Sequence, residues 1–109
     1  MAYSEEMAVR IREILGGTAG ISEKKMFGGL AFMLNGNMCC GINGDDLMLR
    51  VGAEAYEAVL DRPHAREMDF TGRAMKGMIY VGPEGMTTQQ HLEQWVELAV
   101  RFVETLPPK

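Results

Sequence analysis

The sequence predicts an α+β domain: an antiparallel β-meander with helices packed on one face, in the order helix, four strands, helix, strand, helix. Three observations lead there. Both ends of the chain carry apolar residues at helical spacing. The middle is a series of short apolar runs separated by Gly, Asn and Asp. Between two of those runs stands Asn35-Gly36, the strongest short-range signal for a two-residue hairpin, because both central residues must tolerate positive φ. Strands joined by tight turns are antiparallel, and helices on either side of such a meander need a sheet face to cover. The 109 residues are read as one domain.

Ser4 opens the first helix by accepting a bond from an orphan backbone N–H, and Glu5 and Glu6 then lie at the positive end of the dipole. Met7, Ala8, Ile11, Ile14 and Leu15 share a face, Glu6 and Arg10 are spaced to pair, and Gly16-Gly17 ends the helix. Residues 21–27 read as a first strand, with Lys24 and Lys25 marking a sheet edge. Gly28-Gly29 allows a bulge or a close backbone approach.

Strands over 30–34 and 37–42 follow, on either side of the Asn35-Gly36 turn. Counting outward from that turn places Leu34 opposite Asn37, Met33 opposite Met38, Phe32 opposite Cys39 and Ala31 opposite Cys40. One face then holds Ala31, Met33, Met38, Cys40 and Ile42, and the other Leu30, Phe32, Leu34, Cys39 and Gly41. Asn43-Gly44-Asp45-Asp46 is a turn into a strand over 47–51. Parity puts Leu47, Leu49 and Val51 with Cys40 and Ile42, and it puts Met48 and Arg50 with Phe32 and Cys39.

Gly52 caps a short helix over 53–60, which Pro63 prevents from continuing. Residues 63–77 are polar and without period, and read as a loop carrying His64, Arg66, Arg73 and Lys76. A strand over 78–81 and a loop at Gly82-Pro83-Glu84-Gly85 precede the last helix. Thr87-x-x-Gln90 has the form of a capping box. Leu92, Trp95, Val96, Ala99, Phe102, Val103 and Leu106 make a wide apolar stripe, with Glu97 and Arg101 paired on the polar side.

Charge and composition narrow the function classes. A net charge of −4 is the wrong sign for strong non-specific binding to nucleic acid, which draws on Lys and Arg at phosphates. No apolar run reaches the roughly 18 residues of a membrane span, and the start of the chain lacks the basic and apolar regions of a leader. The two cysteines are adjacent, where a disulfide is strained, so a reduced cytoplasmic protein is expected. Ten methionines are many for this length. They serve either as adaptable filler in an irregular core or as an adaptable contact surface, and their alternation along strands favours filler.

Four residues on one predicted face, Phe32, Cys39, Met48 and Arg50, combine a thiol, a cation and apolar surface, a setting in which a thiolate is stabilised. No histidine is placed beside Cys39 by any local pattern, so a small buried strand residue is the plainer reading. A metal site is disfavoured: there is no C-x-x-C or H-x-x-x-H spacing, and neighbouring strand residues point to opposite faces. Gly28-Gly29 lacks the lysine and helix start of a phosphate loop. Arg50, His64, Arg66, Arg73 and Lys76 form a second candidate, a cationic pocket for a carboxylate, a phosphate or an acidic segment.

The run Lys25-Met26-Phe27-Gly28-Gly29-Leu30-Ala31-Phe32, then Asn35-Gly36-Asn37-Met38 and Asp46-Leu47-Met48-Leu49-Arg50-Val51-Gly52, resembles the TfoX/Sxy N-terminal domain family. Met75-Lys76-Gly77-Met78-Ile79-Tyr80-Val81 and the helix of Trp95 fit the same pattern, so the resemblance covers nearly the whole chain. It implies a secretion-chaperone-like α+β fold. Its founding members are regulators of natural competence in which this domain is joined to a second, C-terminal one, and it carries no established catalytic residues. The expectation is therefore a stand-alone binding or regulatory module acting through protein contact, either with a partner protein or as a homodimer, with no cofactor, no catalytic residue, no direct nucleic-acid contact and no membrane. A transcription- or competence-related regulator is the second reading. A small ligand-binding protein or enzyme using Cys39 or the His64/Arg66 loop is the third.

Overall fold

Three helices lie against one face of a six-stranded sheet in which every neighbouring pair is antiparallel. The computed structural model describes residues 3–26, 28–69 and 74–108. The chain runs α1 (Glu5–Leu15), β1 (Ile21–Met26), β2 (Gly29–Leu34), β3 (Asn37–Asn43), β4 (Asp46–Arg50), α2 (Gly52–Leu60), β5 (Ala65–Asp69), β6 (Ala74–Val81), a 3₁₀ turn (Pro83–Met86) and α3 (Gln89–Val103). The strand order is β1-β2-β3-β4-β6-β5, so β1, with Lys24 and Lys25, is an edge as expected. The α+β class and the single helical layer agree with the sequence.

The Asn35-Gly36 turn has the predicted geometry, with φ of 53° and 84°. Its first pairs, Leu34 with Asn37 and Met33 with Met38, are also as counted. The next pair is not: Phe32 faces Cys40, Ala31 faces Gly41 and Leu30 faces Ile42. Cys39 is an extra residue in β3, a β-bulge that opposes nothing on β2. Beyond it the faces of β3 swap relative to β2. Leu30, Phe32, Cys40 and Ile42 now share a face with Leu47, Leu49, Ile79 and Val81, and all are buried under the helices. Both thiols enter this core, at 0% exposure each, so the expectation that Cys39 and Cys40 point to opposite faces is corrected by the bulge.

The other face carries a smaller cluster of Met48 and Met78, with Met38 and Tyr80 packed against it. Met48 lies flat because position 41 is glycine: a Cβ there would sit 2.8 Å from Met48 Cε and 2.6 Å from the Leu30 carbonyl oxygen. Met7, Met48, Met78 and Met86 are all buried, which makes them filler, not surface.

Strand β5 was read from sequence as loop. It has one neighbour only and an exposed, polar composition, so it shows little apolar alternation. The partner ladder on β6 forms it, pairing Ala65 with Val81, Arg66 with Tyr80 and Glu67 with Ile79. Strand β6 is correspondingly longer than the predicted 78–81, and α2 is the crossover that carries the chain from β4 past β6 to β5.

Helix α1 is capped as expected, the Met7 N–H donating to Ser4 Oγ at 3.2 Å. Arg10 departs from its predicted pairing with Glu6. Its Nε donates to Gln89 Oε1 (3.0 Å) and its Nη2 to the Met86 carbonyl (2.8 Å), while Gln89 Nε2 returns a bond to the Arg10 carbonyl (2.9 Å). This reciprocal clamp fixes the 3₁₀ turn and the start of α3 against α1. Helix α3 is capped one residue later than the sequence pattern suggests: Thr88, not Thr87, accepts from the His91 N–H at 3.1 Å. The predicted Glu97–Arg101 pair is present at 2.7 Å. Arg12 makes a two-pronged bond to Glu23 of β1 at 2.7 and 2.8 Å, which holds the Glu23 carboxyl below its usual range, but both side chains are well exposed and the pair contributes about 1 kcal/mol at most. No helix among the described residues is long and apolar enough to cross a membrane.

The two glycines of Phe27-Gly28-Gly29 act differently. Gly28 has φ of 74° with open space around it, whereas a Cβ on Gly29 would be driven into the Ile42 carbonyl oxygen. Gly28→Ala should cost about 1 kcal/mol of left-handed strain. Gly29→Ala should cost about 2 kcal/mol or more, because backbone must move. Urea unfolding of the two variants checks the order; equal losses would mean that the backbone around Gly29 gives way to the added methyl more cheaply than the contact with the Ile42 carbonyl implies.

Candidate functional site

The predicted group Phe32, Cys39, Met48 and Arg50 does not form one surface. Phe32 and Cys39 face the helices, at 1% and 0% exposure, and Met48 lies in the cluster on the opposite face. Arg50 pairs across from Met78, donates from Nη1 to the Met38 carbonyl at 3.4 Å, and rests its guanidinium 5.8 Å from the Phe102 ring centroid. It ties strand ends to α3 and has no buried thiolate beside it to stabilise. The Cys40 thiol is pushed well above the ordinary thiol range by its contact with the Cys39 thiol and by burial. The bulge separates the four residues.

The second predicted group divides too. Arg66 stands on β5, where Nη2 bonds Asp46 Oδ2 of β4 at 2.8 Å and the guanidinium covers the Tyr80 ring at 5.3 Å. The Asp46 bond raises the Arg66 pKa above its ordinary value. Arg73 lies outside the described residues, as does the side chain of Lys76. His64 goes elsewhere, into the cleft described next.

That cleft, of 370 Å³, opens between the α2–β5 loop, the 3₁₀ turn and the first turns of α3. Arg62, Pro63 and His64 form one wall and Glu84 and Gly85 a second. His91, Gln94 and Trp95 form the third, brought to one side of α3 by their i, i+3, i+4 spacing. Trp95 is 8% exposed and is the apolar part of the lining. Its Nε1 donates to the Gly85 carbonyl at 3.0 Å, and Arg62 lies 5.8 Å over its ring. The rims are exposed at Arg62, His64, His91 and Gln94.

His64 is held there by its backbone. Its φ is 71°, a left-handed conformation that a non-glycine residue adopts at a cost of about 1–2 kcal/mol. The Gly82 N–H bonds its carbonyl at 3.2 Å. Gly85 leaves room for its side chain, since a Cβ at that position would meet His64 Cβ at 2.9 Å. Backbone strain of this kind gathers at functional positions.

Chemically the cleft offers one permanent cation, one carboxylate, two imidazoles, an amide and an aromatic platform. Among the described residues, no three His, Cys, Asp or Glu side chains converge as a metal would require. Sequence reasoning singled out His64 but missed Arg62, His91, Gln94 and Trp95. Trp95 was assigned to the helix stripe, and the i, i+4 pair His91 and Trp95 was the signal available for a second role.

An antiparallel six-stranded sheet under a single layer of helices defines a small α+β domain. A family model described as the TfoX N-terminal domain matches residues 13–103, which takes in all six strands, α2, α3 and the end of α1. The chain belongs to the TfoX N-terminal domain family. No curated protein and no solved structure gives a match.

Two outcomes follow from these placements. Both cysteines should alkylate at least about 100-fold more slowly in the native protein than in denaturant, since reaction requires opening the core; mass spectrometry after iodoacetamide measures this, and rapid native labelling of Cys39 would contradict its burial. His64→Gly should leave stability unchanged or raise it by up to about 1 kcal/mol by relieving the left-handed strain. A clear loss in urea unfolding would instead make the imidazole a structural prop.

Proposed function

We propose that this chain is a protein-binding module that acts through contact, with the cleft of His64, His91 and Trp95 as its docking site. One observation carries the reading: the α2–β5 loop, the 3₁₀ turn and the start of α3 set exposed polar side chains around a tryptophan that is itself anchored, with His64 held in a strained conformation at the rim. Anchored aromatic and arginine side chains within a polar rim are the anatomy of a recognition site. The two thiols, which an enzymatic reading would use, are sealed in the core. Direct contact with nucleic acid fits poorly with a net charge of −4. A regulatory role in the cell would follow from the identity of the docked protein.

The test is site-specific photo-crosslinking in the native host. A photoreactive side chain at Gln94, in the cleft, should give discrete protein adducts that Arg62→Glu abolishes. The same group at Lys24, on the far edge strand, should not give them. Absence of adducts at position 94, or the same adducts from both positions, would remove the cleft as the docking site.

A further inference from the structure

Resting on the reading of the cleft as a docking site, the geometry points to an anion socket: it takes a carboxylate, held by Arg62, His64 and His91. The charged side chains lining the cleft are Arg62 and Glu84. Arg62 is a permanent cation with a planar two-pronged donor that matches a carboxylate, and its packing on Trp95 limits the freedom it would lose on binding. His64 and His91 each add an N–H donor.

Glu84 is the acid in the lining, and its charge is directed elsewhere. Its Oε2 lies over Gly82, 2.9 Å from where a Cβ would stand, on the side where Arg66 Nη1 also approaches, and its field acts on Arg66. The third wall contributes in the same sense. Helix α3 is 15 residues long and carries no acid in its first turn, whereas α1 begins with Glu5 and Glu6. The positive end of α3, where His91 sits, is therefore not neutralised by its own side chains.

The volume of 370 Å³ lies at the small end of ligand clefts, enough for one side chain or a chain end with its carboxylate. The carboxylate could come from an acidic residue or chain end of the docked protein, or from a free small acid; the chemistry of recognition is shared.

The experiment is an NMR titration of the full chain with sodium acetate, and in a separate arm with inorganic phosphate, at constant ionic strength made up with chloride. The His64 and His91 imidazole signals and the Trp95 indole N–H should shift saturably with acetate. Arg62→Gln should weaken that response at least about tenfold, the equivalent of one charged hydrogen bond. His64→Asn combined with His91→Gln should do the same; asparagine is chosen because it tolerates positive φ. All three side chains are on the exposed rim, and an otherwise unchanged amide spectrum verifies the fold of each variant.

Shifts that do not saturate, or an affinity untouched by these substitutions, would overturn the socket. Saturation by phosphate with none by acetate would overturn its assignment to a carboxylate. An acetate response without a cross-link from Gln94 supports the socket, assigns the carboxylate to a free small acid, and removes protein docking. A cross-link without an acetate response removes the socket and leaves docking in place.

Discussion

Cys39 has no partner across the β2–β3 ladder, and the faces of the sheet depend on that single unpaired residue. The bulge rotates the rest of β3 by half a pleat, which brings Cys40 and Ile42 into line with Phe32 and Leu30 on one side and with Leu49 and Leu47 on the other. Without it, Phe32 would share a face with Met48 and Arg50 while its neighbours on β4 faced the helices. Each large side chain moved from water to core contributes about 1.5–3 kcal/mol. A register that strands several of them would exceed the net stability of a typical domain, so the bulge is part of the native register and not a local defect.

With that face continuous, the helices need only be held in place, and the polar contacts that do so also build the cleft. The Arg10–Gln89 clamp fixes α1 to the start of α3 and to the 3₁₀ turn at Met86. Trp95 is bonded to the same turn through Gly85. Three arginines each cover an aromatic ring, Arg50 on Phe102, Arg62 on Trp95 and Arg66 on Tyr80. Of these, Arg50 also bonds a strand carbonyl and Arg66 an aspartate, whereas Arg62 is the one placed on the rim of a concavity. The same stacking geometry thus serves packing at two sites and leaves a guanidinium facing the cleft at the third.

The proposed surface recognition draws on where the thiols and the polar side chains lie. The thiols that might have supplied covalent chemistry are buried together by the bulge, and their contact and burial disfavour a thiolate at Cys40. Exposed apolar surface is sparse: among the described residues Val9, at 51% exposure, is the large apolar side chain left in water, and a lone valine needs no partner to explain it. The cleft gathers Arg62, His64, His91 and Gln94 around Trp95.

Local interactions were legible in the residues. The Asn35-Gly36 turn, the Ser4 cap, the edge marked by Lys24 and Lys25, the Glu97–Arg101 pair and the apolar stripes of α1 and α3 each depend on residues a few positions apart, so spacing alone determines them. Pairing across long separations was not legible. A bulge leaves no mark that distinguishes Met38-Cys39-Cys40 from an ordinary apolar run, because its benefit lies in burial against β4 and α3. Strand β5 has little period of its own and exists by pairing with β6. Arg10 had Glu6 within reach along its helix and bonds instead with Gln89, 79 positions away. The cleft shows the same division: His64 stood out as a histidine in a polar stretch, but His91 and Trp95 became its neighbours only when α3 was laid across the sheet.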